Sequence, residues 1–132
     1  TMCGNCCSGP EGFVLVTDAE AQALASRLGL DVAGFLSRYT RMTSAGRSLT
    51  ERLTEAGNDC VFLDRAQIPG RGVCGVYEDR PAQCRTWPFW KSTLASRSAW
   101  EQASRRCPGM RAEVGTHYSV QQIRVLRDRV EI

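Results

Sequence analysis

Lysine is almost missing from this chain: of its 17 basic residues, only Lys91 is not arginine. The basic residues are interleaved with 14 acidic ones, so the net charge is only +3, and no block of like charge forms. The clustered basic stripe of a nucleic-acid binder is lacking, and nucleic acid is not expected among the partners. No apolar run approaches the roughly 18 residues of a membrane-spanning helix. The opening Thr1-Met2-Cys3-Gly4-Asn5 has neither a basic n-region nor an apolar h-region, so a cytoplasmic chain without membrane association is expected. Histidine is reduced to His117, which leaves little scope for a cysteine–histidine catalytic pair. A phosphate-cradling glycine loop, an internal repeat and a low-complexity tract are not evident either. No two carboxylates among Asp59, Asp64, Glu78 and Asp79 have a spacing that demands acid–base chemistry, so no catalytic residue is assigned.

What is present is cysteine. The chain has 132 residues, the size of one domain spanning 1–132, and 42% are hydrophobic, which excludes a disordered or collagen-like class. Seven cysteines stand at Cys3, Cys6, Cys7, Cys60, Cys74, Cys84 and Cys107. An odd count does not close a disulfide framework. Cys3-Gly4-Asn5-Cys6-Cys7 puts three thiols into one short segment, and the two residues between Cys3 and Cys6 let both sulfurs converge on one metal. Thiolates are soft ligands that favour zinc or iron–sulfur centres. Adjacent Cys6 and Cys7 are expected to point apart, because neighbouring Cβ vectors diverge. They would then serve two neighbouring centres, or one as a ligand and one as a buried thiol. Disulfides or buried structural thiols are the competing reading of the whole set.

The patterning is α+β: a small domain of short strands, a hairpin and several helices, with loop-borne cysteines around a metal site. Residues 12–16 read as a short buried strand. Thr17 with Glu20 makes a capping box for a helix whose Ala21, Leu24, Ala25 and Leu28 share a face, ended by Gly29. Asp31 opens a second helix carrying Val32, Phe35, Leu36 and Tyr39. Residues 43–58 are polar and turn-rich and read as a variable connection. Residues 60–63 and 73–77 read as the arms of a hairpin that brings Cys60 and Cys74 close across the strands. Asp79-Arg80-Pro81 signals a helix start that presents Cys84 near Cys74. Residues 91–106 have weak helical character, and Cys107-Pro108-Gly109 forms a sharp turn. Ser119 with Gln122 caps a last helix bearing Val120, Ile123, Leu126 and Val130.

Arg85-Thr86-Trp87-Pro88-Phe89-Trp90 follows Cys84 directly. Trp87 and Phe89 are expected to pack inside, where they would also keep water from a metal site. Arg80, Arg85 and Trp87 are the candidates for groups around a bound cofactor, the arginines donating to sulfur, to backbone carbonyls or to an anion. His117 reads as a surface histidine rather than a ligand.

Together, Cys3-Gly4-Asn5-Cys6-Cys7, Asp59-Cys60-Val61-Phe62-Leu63, Cys74-Gly75-Val76-Tyr77-Glu78-Asp79-Arg80-Pro81-Ala82-Gln83-Cys84-Arg85-Thr86-Trp87-Pro88-Phe89 and Cys107-Pro108-Gly109 resemble the YkgJ-like cysteine-cluster family. That family is described as a zinc- or iron-chelating domain with a C-x-x-C-x-x-C-C motif, and the likeness runs from Cys3 to the last helix. The family motif opens with one more cysteine, at a position just ahead of Thr1. With it the ligand set would be eight, enough for two four-thiolate sites. The resemblance implies a 4Fe–4S cluster or zinc as cofactor, with family labels leaning to iron–sulfur. Labels of some relatives, such as flagellin lysine N-methylase or oxidoreductase, find no cosubstrate motif here.

Three functions follow as expectations. The first is a cysteine-ligated metal protein whose centre is structural or redox-active. The second is a metal-dependent modifying enzyme, methyltransferase-like or oxidoreductase, with an open coordination position beside a pocket lined by the segment 87–90. The third is a metal carrier or accessory factor with an exposed Cys3 to Cys7 segment and a protein partner.

Overall fold

Most helices in this chain start where a side chain can satisfy amides that the first turn leaves without partners. The computed structural model describes residues 1–130; the last two positions of the expected domain lie outside it. A 3-10 turn over Asn5–Cys7 leads into a two-residue strand, β1 (Ser8–Gly9). Helix α1 (Asp18–Arg27) begins at Thr17, with the expected capping box to Glu20. Asp31 caps α2 (Val32–Tyr39) by accepting from the Gly34 amide. The α1 face packs as expected: Ala21, Leu24 and Ala25 are buried, and with Val16, Phe35, Leu49, Phe62 and Val76 they form the core. Phe35 stacks on Phe62, with ring centroids 6.4 Å apart, and Tyr39 tilts against Phe62 at 5.2 Å.

Residues 43–58 are not a loose connection. Strand β2 (Thr40–Thr43) pairs antiparallel with β3 (Gly46–Leu49), and β4 (Glu51–Thr54) pairs antiparallel with β5 (Gly57–Cys60). The two tight turns are the same device used twice. Arg41-Met42-Thr43-Ser44-Ala45-Gly46 is echoed by Arg52-Leu53-Thr54-Glu55-Ala56-Gly57. In each, the threonine hydroxyl accepts from the alanine amide at 3.2 Å and donates to the glycine carbonyl, at 2.8 Å from Thr43 and 3.0 Å from Thr54. Gly46 and Gly57 both adopt positive φ, which a side chain resists. This internal repeat is short and carries no Asn-Gly or Asp-Gly pair, the usual hairpin signal. Its Met42 and Leu53 point outward, 66% and 83% exposed.

Residues 12–16 are extended, yet they form only an isolated bridge, Leu15 to Ser48. Side chains take the places of a second strand: the Ser48 hydroxyl accepts from the Val14 amide at 2.9 Å, and the Gln83 side-chain carbonyl accepts from the Leu15 amide at 2.8 Å. β5 is the centre of a three-stranded sheet in the order β1-β5-β4. A turn at Val61-Phe62 then separates β5 from β6 (Leu63–Asp64), which pairs with β7 (Val73–Cys74). The register sets Leu63 opposite Cys74 and Glu51 opposite Cys60, so the hairpin does not place the two cysteines across from each other. Beyond β7 the strand expected through residue 77 gives way to a 3-10 turn, Tyr77–Asp79.

Pro81 opens α3 (Ala82–Thr86), whose first amide is capped from a distance: Glu20 Oε1 accepts from the Ala82 amide at 2.6 Å while Oε2 accepts from Thr17. One carboxylate therefore caps two helices. The segment 91–106 forms α4 (Lys91–Leu94) and α5 (Arg97–Arg106), the latter capped by Ser96. A 3-10 turn at Pro108–Met110 precedes α6 (Val120–Arg127), which has the expected Ser119 and Gln122 capping box. The observed class is α+β, and no helix among the described residues is long and apolar enough to cross a membrane.

Replacing Glu20 with alanine removes the α3 cap and the carboxylate half of the α1 capping box, while the Thr17 hydroxyl still accepts from the amide of residue 20. The expected loss is about 1–2 kcal/mol of unfolding free energy, measured by urea titration, since a single cap contributes about 1 kcal/mol.

Candidate metal centre

Five separate stretches of chain deliver the seven cysteines. The N-terminal turn carries Cys3, Cys6 and Cys7; Cys60 ends β5; Cys74 ends β7; Cys84 lies on α3; and Cys107 caps the C-terminus of α5. All seven line one cavity of about 440 Å³. None is bonded to another, and Cys6 alone of the seven is exposed, the rest being half-buried. Phe62, Leu63, Leu49 and Val76 supply apolar wall, and Cys60 and Cys74 pack directly on the core.

The N-terminal segment is held in place by a backbone contact that only glycine permits. Gly72 donates its amide to the Met2 carbonyl at 2.8 Å. A Cβ on Gly72 would meet the Gly4 Cα at 2.7 Å, and Gly4 itself sits in the left-handed region at φ 72°. The turn Ile68-Pro69-Gly70-Arg71-Gly72 thus seats the cysteine-rich segment against β7, and the Arg71 guanidinium donates to the Thr1 carbonyl at 3.2 Å. At the other end the Asn5 side-chain amide donates to the Arg106 carbonyl at 2.7 Å, next to Cys107.

Cys6 and Cys7 do not diverge as their adjacency suggests. Free rotation about Cα–Cβ within the 3-10 turn brings their sulfurs to 3.6 Å. The hydrogen bond from the Cys7 thiol lowers the Cys6 pKa from 9.0 to about 7, whereas the same hydrogen bond, followed by burial, drives Cys7 far upward. Burial pushes Cys60 up to about 11 and Cys84 up to about 12, and it raises Cys74. Cys84 is raised further by the charges that Cys60, Cys6 and Cys74 would carry. These thiols face each other closely enough that ionising one opposes ionising the next.

Arg80 also lines the cavity. Its guanidinium stands 3.6 Å over the Tyr77 ring and donates from Nε to the Tyr77 carbonyl at 2.8 Å. Its charge acts on Cys6, Cys74 and Cys84, favouring their thiolates. Trp87 lines the cavity and donates its indole N–H to Cys107 Sγ at 3.3 Å. Arg85 is exposed and does not line it, and His117 lies on the surface away from it. Phe89 is buried, as its apolar side chain suggests.

The donor chemistry suits a soft metal: seven thiols and one guanidinium around a single space. The sulfurs stand on the walls of that space rather than in a closed cage. Among the described residues, no three His, Cys, Asp or Glu side chains are drawn together around one ion-sized point.

Sequence reading gave no sign of the ion pair beneath the site. Asp59, 2% exposed, accepts from Arg65 through both oxygens, at 2.9 and 3.1 Å. Nothing in a six-residue separation within strand and turn marks the two as partners. Arg65 in turn lies beside Gly4. Its hydrogen bonds hold the Asp59 carboxyl below its ordinary value of 3.8.

A group with a lowered native pKa contributes its full stabilisation above the unfolded value, about 3.9, and loses it as pH falls through the native one. Asp59→Asn should cost about 2 kcal/mol at neutral pH, allowing for the partial exposure of Arg65. Acid titrations of the parent chain should show stability falling below about pH 4, and the variant should flatten that fall. Gly72→Ala should unseat the N-terminal segment, costing about 1–3 kcal/mol. Faster labelling of Cys3, Cys6 and Cys7 by a thiol reagent would report the displacement, while unchanged labelling would mean that the contact is dispensable.

No solved structure matches the chain. Residues 1–108 match the family model CxxCxxCC, described as "Putative zinc- or iron-chelating domain". The match takes in all seven cysteines, and the chain belongs to this cysteine-cluster family of zinc- or iron-chelating domains.

Proposed function

We propose that Cys3, Cys6, Cys7, Cys60, Cys74, Cys84 and Cys107 are the ligand pool of a metal centre, a 4Fe–4S cluster or zinc, whose role is structural or redox, in a cytoplasmic protein. The observation that carries this reading is that all seven cysteines, from five stretches of chain, line one cavity. The thiol electrostatics support it. Buried sulfurs whose ionisation is mutually opposed become compatible once a cation lies among them. The Cys6 and Cys7 sulfurs, at 3.6 Å, are also close to the edge of about 3.8 Å in a tetrahedral four-thiolate site.

Bound zinc would supply folding free energy, and a bound iron–sulfur cluster would add one-electron transfer. The protein's part is carried by its own groups. Arg80 balances thiolate charge. Trp87 orients Cys107 by donating to its sulfur. Phe62, Leu63 and Val76 exclude water and lower the local dielectric. Because Cys60 and Cys74 pack on the core, occupancy of the site and stability of the fold are coupled.

The test is metal and sulfide analysis with an absorption spectrum on anaerobically purified protein. Iron with sulfide and a broad band near roughly 400 nm marks a cluster. Stoichiometric zinc in a colourless protein marks a thiolate zinc site. Absence of both under reducing conditions sinks the proposal. Cys84→Ser should lower metal content and thermal stability together, whereas His117→Ala should change neither. Thiols with raised pKa values bind metal only by giving up protons. Affinity should therefore fall steadily as pH is lowered from 8 to 6, and binding should release protons that a pH indicator can count.

A further inference from the structure

Trp87 and Cys107 have a second exposure. They also border a cleft of about 490 Å³ that none of the other cysteines lines, bounded by residues of α5, the turn after Cys107 and α6. That volume falls within the roughly 300–1,000 Å³ of small-molecule sites. Its lining is aromatic. Phe89 is buried at the bottom, the Trp100 ring stacks on it at 6.1 Å, and Tyr118 meets it edge-on at 4.9 Å. Two residues of basic type, Arg111 and His117, stand exposed at the rim, and no carboxylate is among the described lining residues. Arg111 makes no ion pair among the described residues.

A concave aromatic surface with a guanidinium at its edge selects for a flat apolar body that ends in a planar anion. The guanidinium fork matches a carboxylate in two parallel hydrogen bonds. We infer that this cleft binds a small aromatic carboxylate, its ring among Trp87, Phe89 and Trp100 and its acid group on Arg111. The inference rests on the cleft alone and not on which metal the cysteines hold. Because Trp87 and Cys107 are common to both cavities, the occupant lies one side chain away from the cysteine cavity.

The test is calorimetric titration of the purified full chain with 2-naphthoate, using its neutral isostere 2-naphthamide as control and measuring metal content in parallel. Saturable one-site binding of the acid is expected, with the amide weaker. Arg111→Gln, a surface change that leaves the core untouched, should weaken the acid about tenfold and leave the amide unchanged. Ile123→Trp fills the cleft from α6 and should abolish binding of both, with circular dichroism confirming the fold. No saturable binding below about 1 mM, or equal affinity of the parent chain and Arg111→Gln for the acid, overturns the inference. A metal-free preparation that still binds naphthoate would count against the metal reading and leave this one standing.

Discussion

Thiols that face one another in an apolar cavity cannot all ionise unless opposite charge lies among them. Much of this molecule is arranged around that constraint. Burial raises Cys60, Cys74 and Cys84, and each thiolate formed would raise its neighbours further. Arg80 supplies one positive charge on the rim, held over Tyr77 by its stacked guanidinium. One cation does not offset several sulfurs, and the chain belongs to a family described as zinc- or iron-chelating, a chemistry that clustered thiolates suit.

The scaffold meets the geometric side of the same constraint with few residues. Gly72 against Gly4 seats the N-terminal turn, and the Asp59 and Arg65 pair braces the strand that ends at Cys60. Glu20 fixes the start of α3, and so the placement of Cys84, by capping it from the neighbouring helix. Gly4 and Gly72 line the cavity themselves, whereas Asp59, Arg65 and Glu20 act from outside it. They set the angle and depth at which the sulfurs enter it.

The helices were legible in the sequence because their signals are local. Thr17 with Glu20, Asp31, and Ser119 with Gln122 each name a helix start within four residues, and each start is found there. The cysteine cavity was legible for a different reason, since thiol spacing limits what the residues can do chemically. The two hairpins between 40 and 60 were not legible, because their turns are made by a threonine hydroxyl and not by an Asn-Gly or Asp-Gly pair. The stretch 12–16 looked like a strand by composition, but the Ser48 and Gln83 side chains occupy the Val14 and Leu15 amides, and backbone pairing with β3 is limited to the bridge at Leu15. The register of Cys74 opposite Leu63, the 3.6 Å approach of Cys6 to Cys7 and the placement of Arg85 on the surface depend on tertiary contacts that no window of sequence contains.

The Asn5 amide on the Arg106 carbonyl joins residues 101 apart in the chain, at the point where Cys107 completes the wall. Closing a loop of that length carries an entropic cost that grows only slowly with the number of residues enclosed. During synthesis the three N-terminal thiols leave the ribosome long before their last neighbour does. Until residue 107 has emerged the wall is open, and whatever the pocket encloses can be enclosed only once all five cysteine-bearing stretches have been made.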